Sequence, residues 1–592
     1  MKLLGLLLAA VPATLSAQVS APITNVSYEL TFDSAAAAQR SVQVAMSFEV
    51  AGPAPVLLSL PAWAPGHYEI MNFSRNVAHF TATQNGQPLH ADRFDYDTWR
   101  VIPSGRGAVR VGFDFKADTL QTAAAWTAPD FLMVNGTNVF LFPQGRSLEY
   151  PATVTVHTRP DWRVVTGMHA AGGPLTYHES NYHDLADMPF FIGRFDVDSN
   201  MVSGKWTRLA SYPAGRMSGA PRTAMWSAMQ KFIPAETAVF GETPWDDYTV
   251  FMIVVDNFGG ATALEHQSGN VGIYGTTVIA APGIPNVVAH EMFHAFNVKR
   301  LRPAEMFPYR YDEANPTTLL WVSEGFSDYY ADLDEVRGGA IDSAAFAQNT
   351  LGHMQVVGAS PPASVEDASL AIWTHTRDGS DFLYYDKGSV LGFLLDIMIR
   401  DASDNHGSLD GVMRSLYESA WKHHRGFTNE EFWAAASRAA GGKSFAAFYD
   451  HYVDGHDPLP YDSIVPLAGF RYSSETFRAP RLGIGTASDS LTTVTQVIPG
   501  GAYERAGGHV GDTLVTLGGV DVRTDPNFDA FRHRWAGKDG TFPIVVRRAG
   551  QVLTLTAPVM LIERTDVRLD YAADASPKAL RIRNGILHGA AQ

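Results

Sequence analysis

Two histidines and a glutamate lie close together in a run of residues that favours a helix. His290 and His294 are four residues apart, and Glu291 lies between them. Because residues four apart share one face of a helix, the two imidazoles can bind a single metal ion. Glu291 would lie to the side of that pair, within reach of a water molecule on the metal. Asn286 is expected to cap the start of this helix.

A catalytic metal of this kind needs a third protein ligand and an open position for water. In metzincins a Gly and a third His follow at fixed spacing, but Asn297 and Arg300 occupy those positions here. The alternative is a Glu on a later helix. Glu324 lies in the apolar and aromatic run 319–330, where burying an unpaired carboxylate would be costly. The joint pattern is typical of zinc peptidases and predicts that Glu324 completes a zinc site with the two histidines.

A Gly-rich segment follows a predicted strand over Tyr248 to Val255. It contains Gly259 and Gly260 and leads to Glu265. Gly-rich backbone beside a strand can pair with an extended peptide. A carboxylate there could form a charge-assisted hydrogen bond with a free peptide amino group. The alternative is that Glu265 is an ordinary loop residue in solvent.

Two adjacent tyrosines form another candidate. A phenol hydroxyl beside a metal-bound carbonyl can donate a hydrogen bond to the developing oxyanion. Tyr384 and Tyr385 both fit this role, and the pair could equally be aromatic packing at the start of a helix. The residues alone do not choose between the two.

Composition limits the possible functions. The chain has 592 residues, no Cys and a net charge of −16. Disulfides, thiolate metal sites and a Cys nucleophile are therefore excluded, and nucleic acid is disfavoured as the main partner. The length suggests about three domains.

The pattern along the chain predicts a multidomain α+β protein. Residues 1–17 resemble a signal peptide, with Lys2 before a short apolar core, and no later stretch is long enough for a transmembrane anchor. Alternating strands and an Asn85-Gly86 turn predict an N-terminal β-sandwich over 18–195. Within it, Pro61 to Tyr68 is interpreted as a rigid aromatic turn, with a substrate contact as the alternative. A mainly helical catalytic domain is expected over 196–465.

The C-terminal region returns to a strand pattern. Its order of a short Gly-containing loop, a strand, a helix start and a Gly-Asp turn resembles a PDZ domain over about residues 478 to 565. The predicted domain bounds are 470–570, followed by a tail over 571–592. PDZ domains bind extended peptides at an exposed sheet edge. The alternative is a domain that only packs against the catalytic one.

Several stretches together resemble one known family, the glycyl aminopeptidase family of exported bacterial metallopeptidases, which is distantly similar to aminopeptidase N. The matching stretches are Trp63-Ala64-Pro65-Gly66-His67-Tyr68, Gly259-Gly260 with Leu264-Glu265-His266, His290 to His294 with Asn297-Val298-Lys299-Arg300, Trp321 to Tyr330, and Tyr385-Asp386-Lys387-Gly388.

This resemblance implies an N-terminal β domain, a thermolysin-like zinc peptidase domain and a C-terminal PDZ domain. It implies release of N-terminal Gly or Ala, with one zinc ion per chain. The Tyr that lies two residues before the Lys-Gly pair is Tyr385, so the resemblance favours it as the oxyanion donor. Gly259, Gly260, Glu265 and His266 fall in the substrate-binding stretch.

The sequence therefore predicts an exported, periplasmic or secreted zinc aminopeptidase. In this hypothesis Glu291 is the general base, Tyr385 stabilises the oxyanion and Glu265 binds the free amino group of a peptide. A second hypothesis is a zinc endopeptidase of the cell envelope guided by its PDZ domain. A third is a peptide-binding envelope protein with a structural zinc, which would have no need of Glu291.

Overall fold

A computed structural model describes residues 19–487 and 492–589. The predicted signal peptide, residues 1–17, lies outside the described residues. The chain divides into two compact units, of which the first holds residues up to Leu459 together with Pro577 onward. The second unit is Pro460–Ser576. The chain thus leaves the first unit once and returns to it for its last helix.

The N-terminal part of the first unit is rich in strands, as predicted. Its strands are β1 (Ile23–Phe32), β2 (Ser41–Val50), β3 (Val56–Ser59), β4 (Val77–Gln84), β5 (Gln87–Pro88), β6 (His90–Arg93), β7 (Thr98–Ile102), β8 (Gly107–Lys116), β9 (Trp126–Ala128), β10 (Phe131–Asn135), β11 (Phe142–Pro143), β12 (Ala152–Thr158), β13 (Arg163–Thr166), β14 (His169–Ala170), β15 (Thr176–Glu179) and β16 (Pro189–Gly193). Short helices α1 (Ser34–Ala38), α2 (Gly136–Val139) and α3 (Tyr182–Ala186) lie between them.

These strands form three sheets, in the orders β14-β15-β12-β1-β2-β8-β4-β5, β13-β16-β10-β9 and β11-β3-β7-β6. Apolar side chains join different sheets, since Phe80 of β4 stacks on Trp99 of β7 with ring centroids 4.9 Å apart. The predicted turn at Asn85 and Gly86 is found between β4 and β5, with both residues at positive φ. Such φ values are what a tight hairpin of this type requires.

The region that follows contains more sheet than the sequence pattern predicts. Its strands are β17 (Asp196–Val202), β18 (Lys205–Tyr212), β19 (Asp247–Val255), β20 (Ala261–His266) and β21 (Gly269–Gly275), in the order β17-β18-β19-β21-β20. The domain predicted to be mainly helical over 196–465 therefore begins with a five-stranded sheet, of which the sequence predicts only the strand over Tyr248 to Val255. The Gly-rich segment after β19 leads into a further strand, since Ala261–His266 pairs with β21 at the edge of the sheet, and Glu265 is therefore not a loop residue.

Helices make up most of the rest of the first unit. They are α4 (Ala220–Phe240), α5 (Ile284–Phe293), α6 (Phe326–Gly338), α7 (Ser343–Ala359), α8 (Val365–Ala371), α9 (Leu383–Ala402), α10 (Leu409–Ser419), α11 (Asn429–Ala439) and α12 (Ala446–Phe448). Short 3-10 turns span Phe73–Asn76, Ala304–Met306 and Trp421–His423, and π turns span Trp321–Gly325 and Tyr449–Val453. Thr428 and Glu431 form a capping box at the start of α11.

The cap predicted for the histidine helix is wrong. α5 begins at Ile284 with Gly283 as its N-cap residue. Asn286 lies one turn inside, and its side-chain amide donates to Asp332 and Glu335 of α6 at 3.0 and 3.1 Å. Pro285 in the first turn already supplies a favourable start, because its missing N–H would have no helical partner there.

The second unit has its own apolar core. Its elements are α13 (Tyr461–Ile464), β22 (Phe470–Pro480), β23 (Ile484–Thr486), β24 (Val494–Val497), α14 (Ala502–Arg505), β25 (Thr513–Leu517), β26 (Val520–Asp521), α15 (Asp529–Arg534), β27 (Thr541–Arg548), β28 (Gln551–Pro558) and β29 (Leu561–Tyr571), with 3-10 turns Val465–Ala468 and Val522–Thr524. Leu514, Phe542 and Ile544 are fully buried at its centre.

The chain ends, within the described range, in α16 (Pro577–His588), which packs against α6 and α9 of the first unit. The predicted tail over 571–592 thus contains a helix. Within residues 19–487 and 492–589, no helix combines the length and apolar character needed to span a bilayer. The multidomain α+β class, with an N-terminal β-rich part and a helical part, is confirmed. The detailed domain bounds and the PDZ and thermolysin-like assignments stay predictions.

Candidate metal centre and active site

Three predicted ligands converge in the interior of the first unit. His290 Nε2 and His294 Nε2 lie 2.9 Å apart. Glu324 Oε2 lies 3.1 Å from His294 Nε2 and 3.6 Å from His290 Nε2. All three residues are buried. α5 carries the two histidines, and the π turn Trp321–Gly325 places Glu324 opposite them just before α6 begins.

The Nδ1 atom of each imidazole, which does not face the other ligands, already has a partner. His294 Nδ1 lies 2.7 Å from the Asn297 carbonyl oxygen. Because a carbonyl only accepts, Nδ1 carries the proton and Nε2 keeps a lone pair. His290 Nδ1 lies 2.8 Å from Asp328 Oδ1. Partners of this kind fix the orientation of metal-binding histidines.

The donor set fits zinc. Two imidazole lone pairs and a carboxylate oxygen face one another, and their ligand atoms all lie within 4.8 Å. Such electron-rich atoms repel unless a cation lies between them. Two nitrogens and one oxygen, with a position left for water, are a usual set for catalytic zinc. Burial would raise the pKa of Glu324, but the two histidines outweigh it and hold the pKa well below its usual range.

Glu291 lies next to this cluster on α5 and is also buried. Its Oε2 has no hydrogen-bond partner among the described residues. Burial raises the pKa of Glu291 to about 7, although the neighbouring histidines act in the opposite direction. A carboxylate with such a pKa can accept and return a proton near neutral pH.

Glu265 enters the same cluster from the edge strand β20, which packs against α5. It is buried, and its Oε1 has no hydrogen-bond partner within the described chain. Its charge adds to burial in raising the pKa of Glu291. The nearest cation is Lys299, whose Nζ lies 3.8 Å from Glu265 Oε1. Lys299 is more tightly bound to Asp187, at 2.9 Å.

Tyr385 is the better placed of the two tyrosines. Its ring centroid lies 6.1 Å from that of His290, and the side chain is half-buried. Tyr384 packs against it at 4.7 Å and is almost fully buried. Burial raises the pKa of Tyr385 well above its usual value, so the phenol stays protonated and able to donate.

The remaining predicted residues lie outside this cluster. Gly259 and Gly260 precede β20, and the Gly260 carbonyl accepts from the Gly275 amide at 2.9 Å. Neither glycine forms a hydrogen bond with the ligand cluster within the described chain. His266 is buried, with its Nδ1 3.5 Å from Asp187 Oδ1, the oxygen that also binds Lys299.

Three residues that lie in the stretches named above hold the ligands in place, a role that the sequence analysis did not give them. Asp328 lies four residues after Glu324, and that helical spacing could have indicated a shared face. Asn297 donates from Nδ2 to the carbonyls of Val322 and Ser323, which ties the end of α5 to the π turn. Tyr68 donates from its hydroxyl to Glu324 Oε1 at 2.5 Å. No local signal in the sequence predicts that last contact.

Two regions of the chain match models of one peptidase family. Residues 27–194 match the peptidase M61 N-terminal domain, and residues 284–391 match the M61 glycyl aminopeptidase domain. No curated protein matches the chain significantly.

The chain also resembles solved structures. An aminopeptidase N family protein from Idiomarina loihiensis is 21% identical with a TM-score of 0.74, and the match covers 95% of this chain and 100% of that one. An M1 zinc metallopeptidase from Deinococcus radiodurans is 15% identical with a TM-score of 0.48, covering 75% of this chain and 96% of that one. At 21% identity the first likeness shows a shared fold.

The fold, the donor set and the family matches define a zinc metallopeptidase of the aminopeptidase class. Within that class, residues 27–194 and 284–391 match the two domain models of the M61 glycyl aminopeptidase family.

Proposed function

We propose that the protein removes the first residue from peptides with a free amino terminus, favouring small first residues such as Gly and Ala. In this proposal His290, His294 and Glu324 hold one zinc ion per chain. The observation that carries the proposal is the buried Glu265 carboxylate on an edge strand beside these ligands, whose Oε1 has no hydrogen-bond partner among the described residues.

Each residue of the cluster has a role in peptide hydrolysis. A bound zinc supplies a Lewis acid that polarises the scissile carbonyl and acidifies water. Glu291 takes the proton from the attacking water and passes it to the leaving amine. The Tyr385 hydroxyl donates to the carbonyl oxygen as negative charge develops. Glu265 accepts hydrogen bonds from the substrate ammonium, which aligns the first peptide bond with Glu291.

The edge position of β20 supports a peptide substrate. β20 pairs with β21 on one side, and it has no second strand partner among the described residues. Its free backbone groups can therefore pair with an extended chain. Gly259 and Gly260 before the strand leave space for that backbone, and His266 supports the strand end.

The test uses Gly-, Ala- and Leu-anilides with an N-acetylated control, with and without a chelator, and with metal content measured. Chelator-sensitive cleavage of free Gly and Ala anilides, with about one zinc per chain, supports the proposal. Glu265→Ala should raise KM for free-amine substrates far more than it lowers kcat. Cleavage inside blocked peptides, with no cleavage of anilides, would instead support an endopeptidase.

We also propose that residues 470–570 form a PDZ domain that binds peptide carboxyl termini. A groove of about 240 Å³ in the second unit is lined by apolar residues and arginines, among them Leu482, Ile498, Phe531, Arg481, Arg532 and Arg564. Apolar walls with guanidinium groups suit an apolar last residue and its carboxylate. Fluorescent peptides with free or amidated carboxyl termini test this proposal. Equal binding of the two peptides, or no binding of either, would contradict it.

We propose further that residues 1–17 are a signal peptide and that the mature protein is periplasmic or secreted. The positive start and short apolar core support this. Amino-terminal sequencing of protein recovered from the periplasm and the medium should find a chain that begins close after Ala17. Recovery of the whole chain from the cytoplasm alone would contradict export.

A further inference from the structure

A turn of the N-terminal part reaches into the catalytic region. Its residues 61–68 make contacts with the segments that follow α5. Ala62 N donates to the Tyr311 carbonyl at 2.7 Å, and Trp63 Nε1 donates to the Arg310 carbonyl at 2.8 Å. The Pro65 carbonyl accepts from Lys299 Nζ at 3.2 Å. These contacts fix the turn against the metal cluster from a distant part of the chain.

Tyr68 ends this turn with its hydroxyl on a metal ligand. The hydroxyl donates to Glu324 Oε1 at 2.5 Å, and each of the two residues is only 1% exposed. The other oxygen, Oε2, is the one that faces His290 and His294. The Glu324 carboxylate is therefore held on one oxygen while it presents the other to the metal position.

The backbone of Tyr68 supports a specific role. Its φ is +51°, in the left-handed region that residues other than Gly adopt at a cost of about 1 kcal/mol or more. Such a conformation persists only where the surroundings hold it. Trp373 packs edge-on against the Tyr68 ring, with centroids 6.1 Å apart.

The same turn also covers Glu265. A Cβ added to Gly66, whose φ is +105°, would lie 2.3 Å from Glu265 Oε2. The turn therefore closes directly over the Glu265 carboxylate, and only Gly allows this approach. Both carboxylates that frame the site thus touch residues of the N-terminal part.

We propose that Tyr68 is a positioning residue for the metal ligand Glu324, so that the N-terminal domain completes the metal centre. This inference rests on the proposed role of Glu324 as a ligand. Hydrogen-bond partners of metal ligands fix their orientation, and losing one typically weakens metal binding 10–100-fold. The N-terminal domain is then part of the active site as well as a scaffold.

The alternative is that Tyr68 only contributes to packing. Tyr28 provides a matched control, because it is also 1% exposed, lies in the N-terminal part, and donates from its hydroxyl to the Leu141 carbonyl at 2.6 Å. Both Tyr→Phe changes remove a single buried hydroxyl. Only Tyr68→Phe removes a hydroxyl that is hydrogen-bonded to a proposed metal ligand.

The experiment measures the zinc affinity of the full chain by competition with a chromophoric chelator, for the unaltered protein, Tyr68→Phe and Tyr28→Phe. Thermal unfolding of the zinc-free proteins reports the loss of packing. We expect Tyr68→Phe to bind zinc about 10–100-fold more weakly, whereas Tyr28→Phe binds as the unaltered protein does. The zinc-free forms of the two variants should unfold at similar temperatures.

Equal zinc affinity for Tyr68→Phe and the unaltered protein would overturn this inference alone, and so would an equal loss in both variants. If the unaltered protein bound no zinc, the proposed function would fail first and this inference with it. The two failures are thus distinguished by the first measurement.

Discussion

At the scale of single residues, the site depends on carboxylates with different surroundings. Glu324 is flanked by two histidines and a tyrosine hydroxyl, which stabilise its charge. Glu291 is buried and its Oε2 is unpaired in the described chain, so its charge is less stabilised. The pKa of Glu324 is accordingly lowered and that of Glu291 raised to about 7. Such separation supports the proposed ligand role of Glu324 and the proposed proton-transfer role of Glu291.

We expect Glu291→Gln to keep zinc and to lose at least about 10²-fold in kcat, because the amide cannot accept the proton of the attacking water. Metal analysis and anilide hydrolysis measure the two effects separately. His294→Ala is the matched change in the ligand set and should lose both zinc and activity. A folded, zinc-bound Glu291→Gln protein with full turnover would contradict the role of Glu291.

At the scale of elements, two glycines allow α9 to cross the π turn closely. A Cβ on Gly388 would lie 2.7 Å from the Trp321 carbonyl oxygen, and one on Gly325 would lie 2.5 Å from the Gly388 Cα. The π turn carries Glu324, and α9 carries Tyr385 one turn before Gly388. The crossing therefore sets the position of the tyrosine relative to the metal ligand.

We expect Gly388→Ala to lower kcat at least about 10-fold and to destabilise the protein by about 1–3 kcal/mol, because backbone on both sides must move. Gly352→Ala in α7 is the control, since a Cβ there meets nothing within 4 Å. That change should be neutral or stabilise by up to about 1 kcal/mol. Activity and thermal midpoints measured on both proteins test this, and similar behaviour of the two would contradict it.

At the scale of the whole molecule, a buried ion pair links the N-terminal part to the catalytic region. Burial alone would raise the pKa of Asp187, but Lys299 and His266 outweigh it and hold the pKa at about 2. In an unfolded chain this pKa would be about 4. The folded state therefore gains stability from the carboxylate above pH 4, and that gain disappears as the pH falls towards 2.

We expect Asp187→Asn to destabilise the chelator-treated protein by about 2 kcal/mol at neutral pH, with the difference from the unaltered protein shrinking below pH 4. Thermal midpoints between pH 7 and pH 3 measure this. A difference that stays constant over the whole range would show that the Asp187 charge is not responsible.

The last helix closes the first unit from the far end of the chain. Ile582 and Ile586 of α16 are fully buried, and the Ile586 carbonyl accepts from Arg337 Nε of α6 at 3.0 Å. α16 packs on α6 and α9. α6 begins just after Glu324, and α9 carries Tyr385.

We expect Ile582→Ala to cost about 2–5 kcal/mol, because it opens a cavity between these helices. Asn584→Ala on the exposed face of α16 is the control and should change stability little. The thermal midpoints of the two variants measure these changes in stability. Equal midpoints would mean that α16 adds nothing to the core.

The metal ligands could be predicted from the sequence because their geometry is local. A four-residue spacing fixes two imidazoles on one helical face, and an acidic residue in an apolar run must find a cationic partner. The family resemblance likewise rested on short runs of residues. The strand-rich character of the N-terminal part followed from alternation, which is also a local property.

Only the tertiary structure determined the contacts between residues that are far apart in the chain. Tyr68 and Glu324 are 256 positions apart, and only the packing of the N-terminal part brings them together. The edge position of β20 and the pairing of Lys299 with Asp187 likewise depend on which segments become neighbours. Local pattern thus determined which residues could bind a metal, and long-range packing decided what surrounds and orients them.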